Sequence, residues 1–193
     1  TDHPRVLVDS NPHVPDRNAA RAGGESPGPA LRAMAMALVG QGAEVLAMPC
    51  NAAHGWADAL DVEGARFVSM IDVAIARAMQ VGAMQAGPRR IGVLAVGATL
   101  DARLYQDAAP VPVLAGDRAI VQPAVDRIKA GDRGRHVRAV LAGEARRLAA
   151  AGAGAIIAAC TEIPLVLRAG DVPVPLIDAT AALADATLAA ARY

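Results

Sequence analysis

The chain has 193 residues, 54% of them apolar and 20% charged, with 19 basic and 19 acidic side chains and a formal net charge of zero. That length can bury the core of one large or two small domains, while a neutral balance with 2% aromatic residues provides neither the basic patch nor the stacking platform of a nucleic-acid binder. No run of about 18 apolar residues escapes a charge or a helix breaker, so neither a transmembrane helix nor a membrane partner is expected.

In chain order, apolar runs and helical periodicity predict a strand over 5–9, a helix over 28–41, a strand over 44–48 and a helix over 53–60. A strand over 66–70 and a helix over 72–85 come next, and Gln85-Ala86-Gly87-Pro88 forms a natural seam. Beyond it lie a strand over 90–96, a helix over 100–108, a strand over 111–114 and helices over 120–130 and 136–151. The chain closes with a strand over 155–159, a helix over 162–168, a strand over 174–177 and a helix over 179–192. Strands alternating with helices argue an α/β fold with parallel sheets. Two pseudo-symmetric domains are expected, 1–88 and 89–193, each a short parallel sheet flanked by helices, with the last helix free to pack back on the first.

The division rests on an internal repeat. Gly42-Ala43-Glu44-Val45-Leu46-Ala47-Met48-Pro49-Cys50-Asn51 matches Gly152-Ala153-Gly154-Ala155-Ile156-Ile157-Ala158-Ala159-Cys160-Thr161, every position offset by 110. The chain's only two cysteines therefore fall at the same place in each half. Val68-Ser69-Met70-Ile71-Asp72 pairs in the same spirit with Val174-Pro175-Leu176-Ile177-Asp178, and each Asp reads as the N-cap of the helix after it. The second half opens with a strand and helix, 90–108, that find no counterpart at the front of the first, so the first domain is expected to lack its opening βα unit.

Each cysteine lies where a parallel strand ends and a helix is predicted to begin, the edge at which open α/β sheets bind ligands. Free N–H groups there bind carboxylates and lower a thiol's pKa. Two such thiols facing one carbon suit abstraction of a proton from one side and delivery to the other, a two-base general acid–base reaction. A lone free cysteine in an apolar strand is usually a small core residue; the matched register is what argues against that here. A zinc site is not expected, because Cys50-x-x-x-His54 supplies two ligands and no second pair appears. Lys129 is the only lysine, so a pyridoxal Schiff base would rest on it alone, and nothing around it supports one. Two cysteines make no disulfide framework and no signal peptide is visible at Thr1, so a cytoplasmic location is expected.

The strings Met48-Pro49-Cys50-Asn51-Ala52-Ala53-His54 and Ala159-Cys160-Thr161-Glu162-Ile163-Pro164-Leu165 closely resemble the two signatures of the aspartate/glutamate racemase family. Cys-Thr-Glu, where glutamate racemases usually show Cys-Thr-His, resembles the aspartate branch. Supporting matches run through His3-Pro4-Arg5-Val6-Leu7-Val8, Asn11-Pro12-His13-Val14-Pro15-Asp16-Arg17, Ile91–Thr99, Leu104-Tyr105-Gln106 and Ile128-Lys129-Ala130-Gly131. The resemblance implies a cofactor-independent amino-acid racemase with its site between two similar domains, usually a homodimer, acting on aspartate or glutamate.

By that resemblance Cys50 and Cys160 take the paired acid/base roles. Asn51 and Thr161 hold the α-carboxylate and amino group, Arg17 faces the side-chain carboxylate and Lys129 assists with substrate charge. Asn11, Thr99 and Glu162 complete the substrate-binding set. His54 reads first as a residue that orients the loop. The chain departs from the family pattern at Ala52, where Thr is common, and has no Gly-Gly-Met-Gly-Pro-like loop. The alternatives are a ligand-binding or inactive paralogue, a related decarboxylase or isomerase of small dicarboxylic acids, and a redox thiol pair. The last fits poorly, because redox pairs lie close together as Cys-x-x-Cys.

Overall fold

The computed structural model describes residues 4–81 and 88–191, so residues 85–87 of the predicted seam, 85–88, lie outside the described residues. Two parallel sheets form. The first pairs β1 (Val45–Ala47) with β2 (Arg66–Val68), and the second has the order β4-β3-β5-β6, from Val113–Ala115, Ile91–Ala95, Ala155–Ala159 and Leu176–Asp178. Helices α1 (Arg17–Arg21), α2 (Gly28–Gly40) and α3 (Met70–Val81) belong to the first half. Helices α4 (Gly97–Asp101), α5 (Leu104–Ala108), α6 (Arg118–Lys129), α7 (Arg135–Ala150) and α8 (Ala179–Ala190) belong to the second.

The second sheet is the middle of a three-layer structure centred on β3 and β5, which pair from Ile91↔Ala155 to Ala95↔Ala159. Side chains alternate across a strand, and both faces here are apolar. Leu94, Val96, Ile156, Ala158 and Cys160 pack with α6 and α7, while Ile91, Val93, Ala95, Ala155, Ile157 and Ala159 pack with α3, α5 and α8. Burial on both faces is what parallel sheets need, and each fully buried Ile or Leu contributes about 1.5–3 kcal/mol. A third cluster joins Leu31 and Ala35 of α2 to Leu46, Met48, Leu60 and Val62. Helix α8 also touches β1 and β2 of the first sheet.

The repeat is built into the turns. Gly42 and Gly152 both adopt a left-handed φ, +92° and +98°. In each copy this residue and the next bond back to the preceding helix: Gly42 N–H to Val39 and Ala43 N–H to Leu38, then Gly152 N–H to Ala149 and Ala153 N–H to Leu148. A residue with a Cβ is strained at that φ, so the same glycine turn launches β1 and β5. Strands β2 and β6 also stand 110 residues apart. The predicted pairing of Asp72 with Asp178 is therefore out of register: Asp178 matches Val68. Helix α3 starts at Met70, and Ser69 caps it, its Oγ accepting from Asp72 N–H at 3.2 Å. Asp178 does cap α8, its Oδ1 accepting from the N–H groups of Thr180 and Ala181 at 2.8 and 3.2 Å.

Among the described residues the first sheet has two strands and the second four. The predicted strand over 5–9 does not form. Val6 and Val8 are 72% and 80% exposed, and among the described residues no strand pairs with the segment. It faces β1 across a groove of about 1040 Å³ whose far wall is the C-terminal end of α8. A strand lacking a partner has no ladder to complete, so its apolar pattern alone cannot make it one.

Three predicted helices also change character. Residues Ala52–Leu60 wind as a 3-10 segment kinked at Trp56 (φ −130°), and the helix predicted over 162–168 shrinks to a 3-10 turn, Ile163–Leu165. The helix predicted over 100–108 is two, α4 and α5, broken where Arg103 takes a left-handed φ of +52°. Helix α1 has no counterpart among the predicted elements; Asp16 caps it, accepting from Ala19 N–H at 2.8 Å. Among the described residues no helix is long and apolar enough to cross a membrane.

Asp178→Ala should lower stability by about 1 kcal/mol, read as a fall in the urea midpoint with an unchanged slope.

Candidate active site

Cys160 comes directly after β5 and continues the row of Ile156 and Ala158, which buries it among side chains facing α6 and α7. Cys50 comes after β1, Met48 and Pro49, is half-buried, and packs against that same cluster as well as the α2 cluster. Both thiols are free. The two copies of the repeat thus bring their sulfurs to one shared apolar cluster, but in different surroundings.

Cys160 is the more constrained. Its Sγ–H donates to Glu162 Oε2 at 2.9 Å, and Thr161 Oγ1 donates to the same oxygen at 3.1 Å. Burial first, then the neighbouring carboxylate, push the thiol far above its ordinary value; Lys129 and the Glu162 N–H oppose them without prevailing. The expected lowering by a helix N-terminus is therefore overturned at Cys160. The chain beyond it makes only a three-residue 3-10 turn, too short to carry the aligned peptide dipoles of a helix. For Glu162, burial raises the carboxyl's pKa, but the bonds from Cys160, its own N–H and Thr161, with the charge of Lys129, outweigh it and hold the carboxyl below its ordinary value. The pair is a thiol beside a carboxylate.

The Cys50 loop is held by His54. Its Nδ1 lies 2.9 Å from the Cys50 carbonyl and its Nε2 accepts from Met70 N–H at 2.9 Å. Because Met70 N–H can only donate, Nε2 must be bare and Nδ1 carries the proton. Burial lowers the ring's pKa, against smaller opposing effects of the Cys50 carbonyl and Asp72. The neutral imidazole staples the loop to the start of α3, which makes His54 an orienting residue as read from the sequence.

Asn51 is 3% exposed, its Oδ1 accepts from Tyr105 Oη–H at 2.6 Å, and its Nδ2 is buried without a partner. Thr99, in α4 and 1% exposed, also has an unpartnered hydroxyl. Helix α4 packs on α1 and on the 3-10 segment that Asn51 precedes. Its first two N–H groups are already taken: Gly97 donates to Gln122 Oε1 at 3.0 Å and Ala98 to Asn18 Oδ1 at 3.1 Å. The second bond docks α1, whose first residue is Arg17, against α4. Arg17 donates to the Pro15 carbonyl at 3.3 Å and, among the described residues, pairs with no carboxylate.

Lys129, exposed in the last turn of α6, acts through its charge on Cys160 and Glu162. Asn11 makes a local contact. It is exposed, and its Oδ1 accepts from His13 N–H at 2.9 Å, closing a local turn. Tyr105 is the member to which the sequence pattern assigns no role. A signal for it exists: it is one of four aromatic residues in the chain, and the lone aromatic of its short helix.

The Asp/Glu/Hydantoin racemase family model matches residues 1–187. The chain belongs to this racemase family. It is 30% identical over 177 residues to the glutamate racemase of Mycobacterium leprae, an alignment covering 84% of this chain and 62% of that protein. Among solved structures, the aspartate racemase of Picrophilus torridus superposes with a TM-score of 0.83 at 25% identity, over 98% of this chain and 80% of that one. An aspartate racemase homologue from Pyrococcus horikoshii shares the fold, with a TM-score of 0.70 at 20% identity over 86% and 75%. The chain thus spans less than two thirds of the Mycobacterium relative.

His54 makes a pH dependence. An imidazole held below its ordinary 6.5 lets the unfolded chain bind a proton that the folded one refuses. Its contribution is present above pH 6.5 and is lost as pH falls from 6.5 toward the folded value. Urea midpoints measured between about pH 7.5 and 5.5 should fall with pH, and His54→Gln should flatten that part of the slope.

Proposed function

We propose that this racemase-family chain interconverts the enantiomers of an acidic amino acid, aspartate in preference to glutamate, by moving a proton at Cα between Cys50 and Cys160. The observation that carries the reading is the Cys160–Glu162 pair: a thiol held protonated, its Sγ–H on a carboxylate, at the strand edge that the repeat shares with Cys50. In one direction the Cys50 thiolate takes the Cα proton and the Cys160 thiol delivers its own to the opposite face. In the other direction Cys50 first takes a proton from water and Glu162 accepts the Cys160 proton; the Cys160 thiolate then removes the Cα proton, Cys50 donates its own to the opposite face, and Glu162 returns its proton to water. Each half-reaction moves one proton in and one out, and no cofactor enters.

The transition state carries carbanion charge spread into the α-carboxylate. Donors aimed at that group are worth most there, and the unpartnered Nδ2 of Asn51 and hydroxyl of Thr99 are the groups we assign to it, with Thr161 beside them. Arg17 takes the side-chain carboxylate, and Lys129 contributes positive charge at a distance. Aspartate is favoured on the Cys160-Thr161-Glu162 string and the similarity to the Picrophilus enzyme. The functional unit in this reading is a cytoplasmic homodimer. A second reading, ligand binding without turnover, draws on the two-stranded first sheet and its open groove.

Deuterium incorporation at Cα from heavy water, followed for each enantiomer of aspartate and glutamate, tests both. Exchange with aspartate faster than with glutamate is expected; thermal stabilisation by aspartate without any exchange would leave only the binding reading. Cys50→Ala and Cys160→Ala should each cut exchange by about 10²–10⁴-fold. Glu162→Gln should slow one enantiomer more than the other, since it disables Cys160 only as a base. Arg17→Ala should raise KM for aspartate by about 10–100-fold, the loss of charge-assisted bonds to one carboxylate.

A further inference from the structure

The link between Tyr105 and Asn51 is a fully buried side-chain contact that the proton transfer does not use. The two residues come from different halves. Asn51 stands at the head of the Cys50 loop, and Tyr105 lies in α5, beyond the break at Arg103. Tyr105 is 1% exposed and Asn51 3%, so neither turns to water for a partner. The hydroxyl donates to Asn51 Oδ1 at 2.6 Å, and the amide nitrogen on the other side has no partner.

The orientation of that amide is determined by counting. With Oδ1 toward Tyr105, one group is left unpaired, Nδ2. With the amide turned over, Nδ2 would donate to the phenol oxygen, and both Oδ1 and the phenol proton would be left without partners. Buried polar groups left unpaired are costly, so the observed orientation is the better one, and the hydroxyl is what selects it. Burial also keeps the phenol neutral, well above its ordinary value, which preserves the donor. The group left over is an N–H donor, and the ligand chemistry that completes it is an acceptor, here a carboxylate oxygen.

We propose that Tyr105 is a positioning residue: through its bond to Oδ1 it holds the Asn51 amide with Nδ2 presented to the α-carboxylate of the substrate. This rests on the racemase reading for the identity of the ligand, but not for the hydrogen bond. Tyr105 touches no substrate atom. It tells the Cys50 loop of one half where the other half stands, and an amide free to rotate would offer a carbonyl oxygen to an anion about half of the time.

The test compares wild type, Tyr105→Phe, Asn51→Ala and the double variant, with L-aspartate as the probe. Exchange kinetics at Cα give kcat and KM, calorimetry gives Kd, and thermal melting reports packing. Tyr105→Phe should raise KM and Kd about tenfold and leave kcat within about threefold, the mark of lost binding shared by ground and transition states. The double variant should be no worse than Asn51→Ala, because the hydroxyl acts only through that amide. Unchanged KM and Kd with a lowered melting temperature would reduce Tyr105 to a packing residue and overturn the proposal, as would full additivity in the double variant.

If wild type binds aspartate but shows no exchange, the racemase reading fails while this proposal stands or falls on the Kd values. If wild type neither binds nor exchanges aspartate, the proposal is overturned with it. Should Tyr105→Phe not fold, the Tyr105 hydroxyl proton, slow to exchange at that burial, should be seen by NMR in wild type and lost in Asn51→Ala. Its persistence there would overturn the proposal.

Discussion

The parallel pairing of β3 with β5 is the constraint on which the rest of the molecule depends. Ile91 opposite Ala155 through Ala95 opposite Ala159 sets which residues face α6 and α7 and which face α3, α5 and α8. A slip of one residue would exchange the two faces. With that register, the row Ile156, Ala158, Cys160 is one continuous ridge, and the last member arrives at the carboxyl edge of the sheet with its sulfur already inside the core. Burial there keeps it a thiol. A buried thiol that must also lose its proton needs a nearby acceptor, and the Glu162 carboxylate, two residues on, is in contact with it.

The first half repeats the plan with a weaker foundation. The same left-handed glycine begins its first strand, and the same apolar run ends on a cysteine, but β1 has one neighbour where β5 has two. Cys50 is accordingly less buried, and its loop is anchored by polar bonds in place of a surrounding sheet. His54 reaches from the loop to Met70, Tyr105 reaches across to Asn51, and Asn18 reaches from α1 to the first turn of α4. A sequence repeat that is symmetric to the eye thus becomes a pair of sulfurs in unlike surroundings, Cys160 buried and Cys50 half-buried.

Much of this architecture is legible without coordinates. The cysteine repeat, the glycine turns and the apolar runs of β3 and β5 depend on local chemistry: a backbone angle that suits glycine and a strand apolar on both faces. Sequence and structure part where a residue's state depends on something distant. Residues 5–9 have the composition of a strand and no partner to pair with. The stretches after both cysteines have helical periodicity, but the kink at Trp56 and the turn after Ile163 leave 3-10 geometry. Asp72 resembles a cap because its neighbours imitate those of Asp178, yet Ser69 takes that place once β2 is seen to keep the offset of 110.

The amino-acid sequence by itself determined the family, the α/β architecture, the repeat and the two sulfurs, because these are written in spacing and in residue type. Only the tertiary structure decided that Cys160 is a buried thiol on Glu162, that Tyr105 bonds the Asn51 amide and that Asn11 Oδ1 closes a local turn with His13 N–H. Each of those is a matter of which polar group lies within about 3 Å of another and how much water is left between them. Bonds such as that from Tyr105 to Asn51 join residues 54 positions apart, and the packing of one half against the other is what brings them together.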